Sequence, residues 1–208
     1  MAIPTKQETQ ELFDYACQKT DFYNIKNGLP EGASRGHYLR VAEHARLIAS
    51  KTSCLNPEKA YILGLLHDYG EYLEQKDRRF FHGTAGYDEM MYLGFDEVAR
   101  TCLSHSFFDG CIIPENYPSY DADCIRRAAA IIAENPVDDY DRLIQISDLT
   151  VTGDQTTDIE ARLNFIGQKY HVPEEIICFK KEQACKLKTY MDALCGIDIY
   201  QILGLNNG

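Results

Sequence analysis

The sequence predicts an all-α protein, and three features carry that expectation. Helix-start signals recur: Thr5-x-x-Glu8 and Thr157-x-x-Glu160 read as capping boxes, and Asn56-Pro57 sets an N-cap ahead of proline at the first helical position. The stretches that follow repeat apolar residues every three or four positions. No segment alternates apolar and polar residues long enough to make a convincing strand, and there is no internal repeat or low-complexity stretch.

In chain order, the first helix runs over 5–19, with Leu12, Phe13 and Ala16 at helical spacing. Residues 27–36 are dense in turn formers and make a loop. A helix over 37–52 places His37, Val41, Ala45 and Ile48 on one stripe. The helix opened by Asn56-Pro57 aligns Ala60, Leu63 and His67, and Gly70 suits its C-terminal cap region. Residues 72–83 are polar and charged, with Lys76, Arg78 and Arg79 in a solvated turn before Phe80-Phe81-His82. Short helices over 85–93, closed by Gly94, and over 96–107 follow; the second puts Val98, Cys102 and His105 on one face. Gly110, Pro114 and Pro118 make residues 109–121 a loop or lid. Helices over 123–133 and 139–149 are split by Asn135-Pro136, and Asp148 stands one turn after Ile144. One helix then runs from the second capping box to about Tyr170. The longest starts at Pro173 and carries Ile176, Ile177, Phe179, Ala184, Leu187, Met191 and Leu194 up to Gly196.

A chain of 208 residues suffices for one domain, or one domain with an appended subdomain, and 45% hydrophobic content can fill a core. The formal net charge of −11 argues against non-specific binding to nucleic acid, but not against a small anion held by a local basic patch or a metal. The first residues have neither a basic n-region nor an apolar h-region, and no apolar stretch approaches a membrane span. These features predict a cytoplasmic protein with no membrane partner. The eight cysteines, at 17, 54, 102, 111, 124, 178, 185 and 195, form no C-x-x-C pair, so reduced thiols are expected. Cys178 and Cys185, seven apart, are expected on one buried helix face.

The chain is organised around Gly64-Leu65-Leu66-His67-Asp68-Tyr69-Gly70-Glu71. An apolar helix face ends there in an imidazole beside a carboxylate, both good ligands for first-row metals. Successive side chains on a helix point about 100° apart, so both can reach one ion set off the axis. Separate helices present His37, His105 and Asp148 toward the core, and His82 stands at a loop–helix junction. His44, seven residues past His37, reads as a core or supporting histidine, and His171 as solvent-facing.

This order of residues, His37-x29-His67-Asp68-x79-Asp148, resembles the HD superfamily of metal-dependent phosphohydrolases. The surroundings match too: His37-Tyr-Leu-Arg-Val-Ala, Leu65-Leu66-His67-Asp68-Tyr69-Gly70 and Ile146-Ser147-Asp148. His82-Gly83-Thr84-Ala85-Gly86 and His105-Ser106 look like the two extra histidines of two-metal members: the HD-GYP phosphodiesterases, the bacterial diadenosine tetraphosphate hydrolases and the HD-type di-iron oxygenases. The resemblance implies one HD-type helical domain over 1–208, with a motif core over 35–148 and C-terminal helices over 156–203 that carry no assignable motif. It implies two divalent ions, one held by His37, His67, Asp68 and Asp148, the other by His82 and His105, with Asp68 bridging. Ligation by nitrogen and oxygen suits iron or manganese and also admits zinc.

Many HD-GYP and tetraphosphate-hydrolysing members carry Lys three residues after the motif Asp. This chain has Glu71, as in the single-metal HD nucleotidases, where that Glu helps activate water. Glu71 is therefore a general-base candidate, or alternatively an exposed residue paired with an arginine such as Arg78. Arg35, Arg40, Lys76, Arg78 and Arg79 flank the motif segments, and Arg35 is the one expected to face the site and grip phosphate. The expected function is hydrolysis of a phosphate ester or anhydride in a nucleotide or similar small metabolite. Two alternatives stand beside it: a di-iron oxygenase using the same ligands, and a non-catalytic nucleotide sensor. A homodimer is compatible with the sequence.

Overall fold

The computed structural model describes residues 2–28, 31–77, 80–110, 112–113, 117 and 120–205. The fold is all-α, with one two-stranded hairpin among the described residues. Helix α1 (Lys6–Lys26) begins at the capping box in which Thr5 and Glu8 cap each other. It runs a full two turns past the expected end, because its buried stripe continues through Thr20 and Asn24 rather than through apolar residues. Helices α2 (Ala33–Ala49) and α3 (Pro57–Leu66) pack closely along each other. Gly64 makes this possible: a Cβ there would lie 2.8 Å from the Ala42 Cα.

A short helix, α4 (Glu71–Lys76), occupies part of the stretch read as a charged connection. It is followed by α5 (His82–Leu93), α6 (Asp96–Ser104), a 3₁₀ turn over Phe108–Gly110, α7 (Ala122–Glu134) and α8 (Asp139–Asp148). Gly70, read as suiting the C-terminal cap region of α3, stands at the N-cap of α4 with φ −79°. Its lack of a side chain serves close approach instead, since a Cβ would meet the His82 carbonyl oxygen at 2.1 Å and the Gly86 nitrogen at 2.5 Å. Much of Cys111 to Ser119, part of the expected lid, and Arg78 and Arg79 lie outside the described residues.

The hairpin, β1 (Val151–Thr152) and β2 (Gln155–Thr156), corrects the strandless reading; Gly153-Asp154 is its two-residue turn. It also displaces the second capping box. The Thr157 amide is spent on the Thr150 carbonyl at 2.9 Å, so Asp158 caps α9 (Ile159–Tyr170) by accepting from the Ala161 amide. Helices α10 (Glu174–Cys195) and α11 (Ile199–Ile202) are the last described elements. Helix α10 buries Ile177, Ala184, Leu187 and Met191. Cys178 and Cys185 fall one residue beyond that stripe and are exposed, not core. The described cysteines are free thiols.

The main core joins Phe13, Tyr38, Ile48, Leu63, Leu66, Ile144 and Met191, so the C-terminal helices share it with the motif helices. A smaller cluster of Phe81, Leu103, Phe107, Ile125, Ala128 and Ile132 seats α7 against the other side of the site. Buried Asp141 ties α8 to α6 by accepting from Arg100 Nε and Ser104 Oγ, each at 2.7 Å. Among the described residues, no helix is long and apolar enough to cross a membrane.

Candidate metal centre

Three helices end at one place. α3 stops at His67-Asp68, α6 at His105 and α8 at Asp148, so their C-terminal, partly negative ends converge. His37, in the second turn of α2, and His82, the first residue of α5, come to the same place.

The carboxylate of Asp68 divides the histidines. Its Oδ1 lies 3.1 Å from His105 Nε2 and 3.4 Å from His82 Nε2. Its Oδ2 lies 3.3 Å from His67 Nε2 and 3.9 Å from His37 Nε2. His37 Nε2 is also 3.1 Å from Asp148 Oδ1. The sequence-predicted residues His37, His67, Asp68, His82, His105 and Asp148 are thus brought together.

The other ring nitrogens are committed. His67 Nδ1 donates to the Gly64 carbonyl at 2.7 Å, His105 Nδ1 to the Thr101 carbonyl at 3.2 Å, and His82 Nδ1 to Glu74 Oε2 at 2.6 Å. A carbonyl and a carboxylate accept only, so each Nδ1 carries a proton, and each Nε2, facing Asp68, is the nitrogen that can bind a cation by giving up its own. Nε2 of His67, a residue with no exposed surface, faces Asp68 Oδ2 at 3.3 Å but has no well-aligned hydrogen-bond partner among the described residues. Buried polar atoms are rarely left so, and a bound cation would satisfy this one. The donor set therefore fits a divalent ion.

The electrostatics agree. Burial opposes the charge of Asp68, but His67 and His105 hold it well below the usual carboxylate range. Burial likewise opposes that of Asp148, which Arg162 and His37 outweigh, keeping it ionised. Burial depresses His105. For His82 burial acts the same way but loses to Glu74, which raises that imidazole to about 9.

Glu71 opens α4, and its Oε2 accepts from the buried Tyr38 hydroxyl. Arg35 is placed elsewhere: it pairs with Asp14 at 3.1 Å and lies over the Phe13 ring, so α1 captures the guanidinium expected at the site. Arg40 donates to the Asp154 carbonyl in the hairpin turn at 3.0 Å. His44 is buried between Thr150 and Thr156, apart from the converging ligands, and His171 is exposed at the end of α9.

Sequence reasoning missed Glu74, Ser106 and Arg162. Glu74 stands one helical turn after Glu71, a signal that becomes visible once α4 is recognised. Ser106 Oγ lies 3.1 Å from His105 Nε2. Arg162 on α9 donates to Asp148 Oδ1 at 2.9 Å.

Compared with known proteins, the chain matches the HD domain family over residues 35–150, more than half its length and including every converging ligand. No curated protein and no solved structure matches it. The match and the convergence of His37, His67, Asp68 and Asp148 agree, and the chain belongs to the HD domain family, whose members are usually metal-dependent hydrolases.

Proposed function

We propose that the protein is a metal-dependent phosphohydrolase acting on a nucleotide or another small phosphorylated metabolite. The observation that supports this best is the division of Asp68, one oxygen toward His82 and His105 and the other toward His67 and His37. A carboxylate so placed can serve two cations. His37, His67, Asp68 and Asp148 would hold one ion, and His82, His105 and Asp68 the second. Imidazole and carboxylate donors without thiolate favour iron or manganese and tolerate zinc.

When bound, such ions supply Lewis acidity toward a phosphoryl oxygen and lower the pKa of a nucleophilic water. The chain's own residues do the rest. The Tyr38 hydroxyl holds Glu71 Oε2, which leaves Oε1 to accept the proton of the attacking water. Burial and the neighbouring Glu71 charge push the Tyr38 phenol far up, so it stays a donor. Glu74 fixes the ring of His82, and the Tyr120 hydroxyl donates to the other oxygen of Glu74 at 3.3 Å. The Ser106 hydroxyl, beside His105 Nε2, can donate to an anion held there.

The test is phosphate release from a panel of phosphomonoesters, phosphodiesters and nucleotides by protein loaded anaerobically with Fe(II) or with Mn(II). Release by the wild type and none by Asp68→Ala supports the reading. Untouched esters with metal-dependent oxygen consumption would replace it with the oxygenase, and nucleotide binding without turnover with the sensor.

A further inference from the structure

Lys180 differs from most other cations of the C-terminal helices; Lys169 also lies over two rings, those of Phe165 and Tyr170, but is exposed. Lys181, Lys186 and Lys188 on the same helix pair with Glu160, Glu182, and Asp192 and Asp198 respectively, and Arg162 pairs with Asp148. The Lys180 ammonium has no carboxylate against it among the described residues. It rests between two rings, 5.2 Å from the Phe108 centroid and 4.7 Å from that of Tyr117. Its hydrogen bond goes to the Tyr117 hydroxyl at 3.2 Å. Ring faces attract a cation but do not neutralise it. Burial accordingly pushes the Lys180 ammonium down to about 8. A lysine in this state gains most from an anion brought to it.

Its position relates that anion to the metal ligands. The Tyr117 hydroxyl donates to the Ser106 carbonyl at 3.2 Å, and so accepts from Lys180. Ser106 in turn stands beside His105, with Oγ 3.1 Å from Nε2. Lys180 lies over Phe108, in the 3₁₀ turn that follows α6, which places it on the side of His105. Both Lys180 and Tyr117 are apart from the converging ligands, and Lys180 lies beyond the residues matched to the family.

We propose that Lys180, supported by Tyr117, binds a second anionic group of the substrate, remote from the phosphoryl group at the metal ligands. The substrate class is then a small molecule with anionic groups at two ends, one a phosphate ester and the other a phosphate or a carboxylate. The proposal rests on the phosphohydrolase reading for the identity of the first end only.

The test is calorimetric binding to metal-loaded protein of three probes on the same three-carbon frame: propylphosphonate, 3-phosphonopropionate and propane-1,3-diphosphonate. Lys180→Met keeps the apolar stem and removes the charge; Lys180→Arg restores the charge. The expected result is that Lys180→Met weakens at least one two-ended probe about tenfold, the loss of a charge-assisted hydrogen bond, leaves propylphosphonate unchanged, and is rescued by Lys180→Arg. Dependence of the carboxylate probe alone identifies the second group as a carboxylate, and of the diphosphonate alone as a phosphate. Equal affinities in wild type and Lys180→Met, or equal weakening of all three probes, overturns the proposal. Ester hydrolysis with no Lys180 dependence of binding sinks this inference and spares the hydrolase reading. Lys180-dependent binding with no ester hydrolysed does the reverse.

Discussion

His67, His82 and His105 each commit Nδ1 to an acceptor of the protein's own, a carbonyl for two and Glu74 for the third. Such a bond fixes each ring and leaves Nε2 as the nitrogen that can bind a cation. Because Asp68 faces both halves of the cluster, Asp68→Ala is expected to abolish metal binding and turnover together. His82→Ala with His105→Ala should remove one of two ions, and His44→Ala none. Metal analysis after dialysis reads all three, and a wild type that saturates at one ion contradicts the two-metal assignment. Glu71 is predicted to act on protons and not on metal. Glu71→Gln should lower kcat roughly 10²–10⁴-fold with stoichiometry preserved. Lost metal would make Glu71 a ligand, and unchanged kcat would make it a bystander to the chemistry. The candidate ligands were picked out by their resemblance to the HD pattern, with His37, His67, His105 and Asp148 on helix stripes and His82 at a loop–helix junction. Their supports were not: two are backbone carbonyls, and Glu74 becomes a partner of His82 only once α4 has formed.

At the scale of elements, the site depends on how closely neighbouring helices approach. The backbones around Gly70 and His82 touch, so Gly70→Ala forces α4 and α5 apart. A cost of about 1–3 kcal/mol is expected, typical of overpacking, with weaker occupancy at the His82 end. Urea denaturation and metal titration check this, and a variant with wild-type stability refutes the contact. The hairpin is held by His44. The Thr150 hydroxyl donates to the Ser147 carbonyl, so His44 Nδ1 must donate to Thr150, and Nε2 accepts from Thr156. Burial and the nearby Arg40 push this imidazole down to about 4, against the pull of Glu43, with His37 also lowering it. A neutral imidazole is what the geometry needs. The unfolded chain takes up its proton near pH 6.5 and the folded chain only near 4. Stability from His44 is therefore complete above pH 6.5 and falls as pH drops toward 4. His44→Gln, which keeps two hydrogen bonds and cannot titrate, should flatten that decline; an unaltered slope would remove His44 as its source.

At the scale of the molecule, the all-α class and the order of helices were readable because caps and stripes are local signals. What escaped was non-local or polar: the end of α1 on buried Thr20 and Asn24, the pairing of Val151 with Thr156, and the reach of Arg162 from α9 to Asp148. Charge carries the same lesson. The acidic balance of −11 gave no hint that its buried carboxylates gather with imidazoles at three helix ends. That gathering ties α2, α3, α5, α6 and α8 to one point, so an ion bound there stabilises the fold of all five together. Binding to the native state alone contributes RT ln(1 + [L]/Kd), about 2.7 kcal/mol per site at a hundredfold excess over Kd. For a chain of this size that raises Tm by roughly 5–10 °C. Mn(II) should therefore raise the unfolding midpoint in proportion to the logarithm of its concentration, and a chelator should reverse the shift. Asp68→Ala should be insensitive to both, and the His82→Ala, His105→Ala pair should retain part of the shift. Identical midpoints for the metal-loaded and chelator-treated wild type would show that the converging side chains hold no ion, and the hydrolytic reading would lose its footing with them.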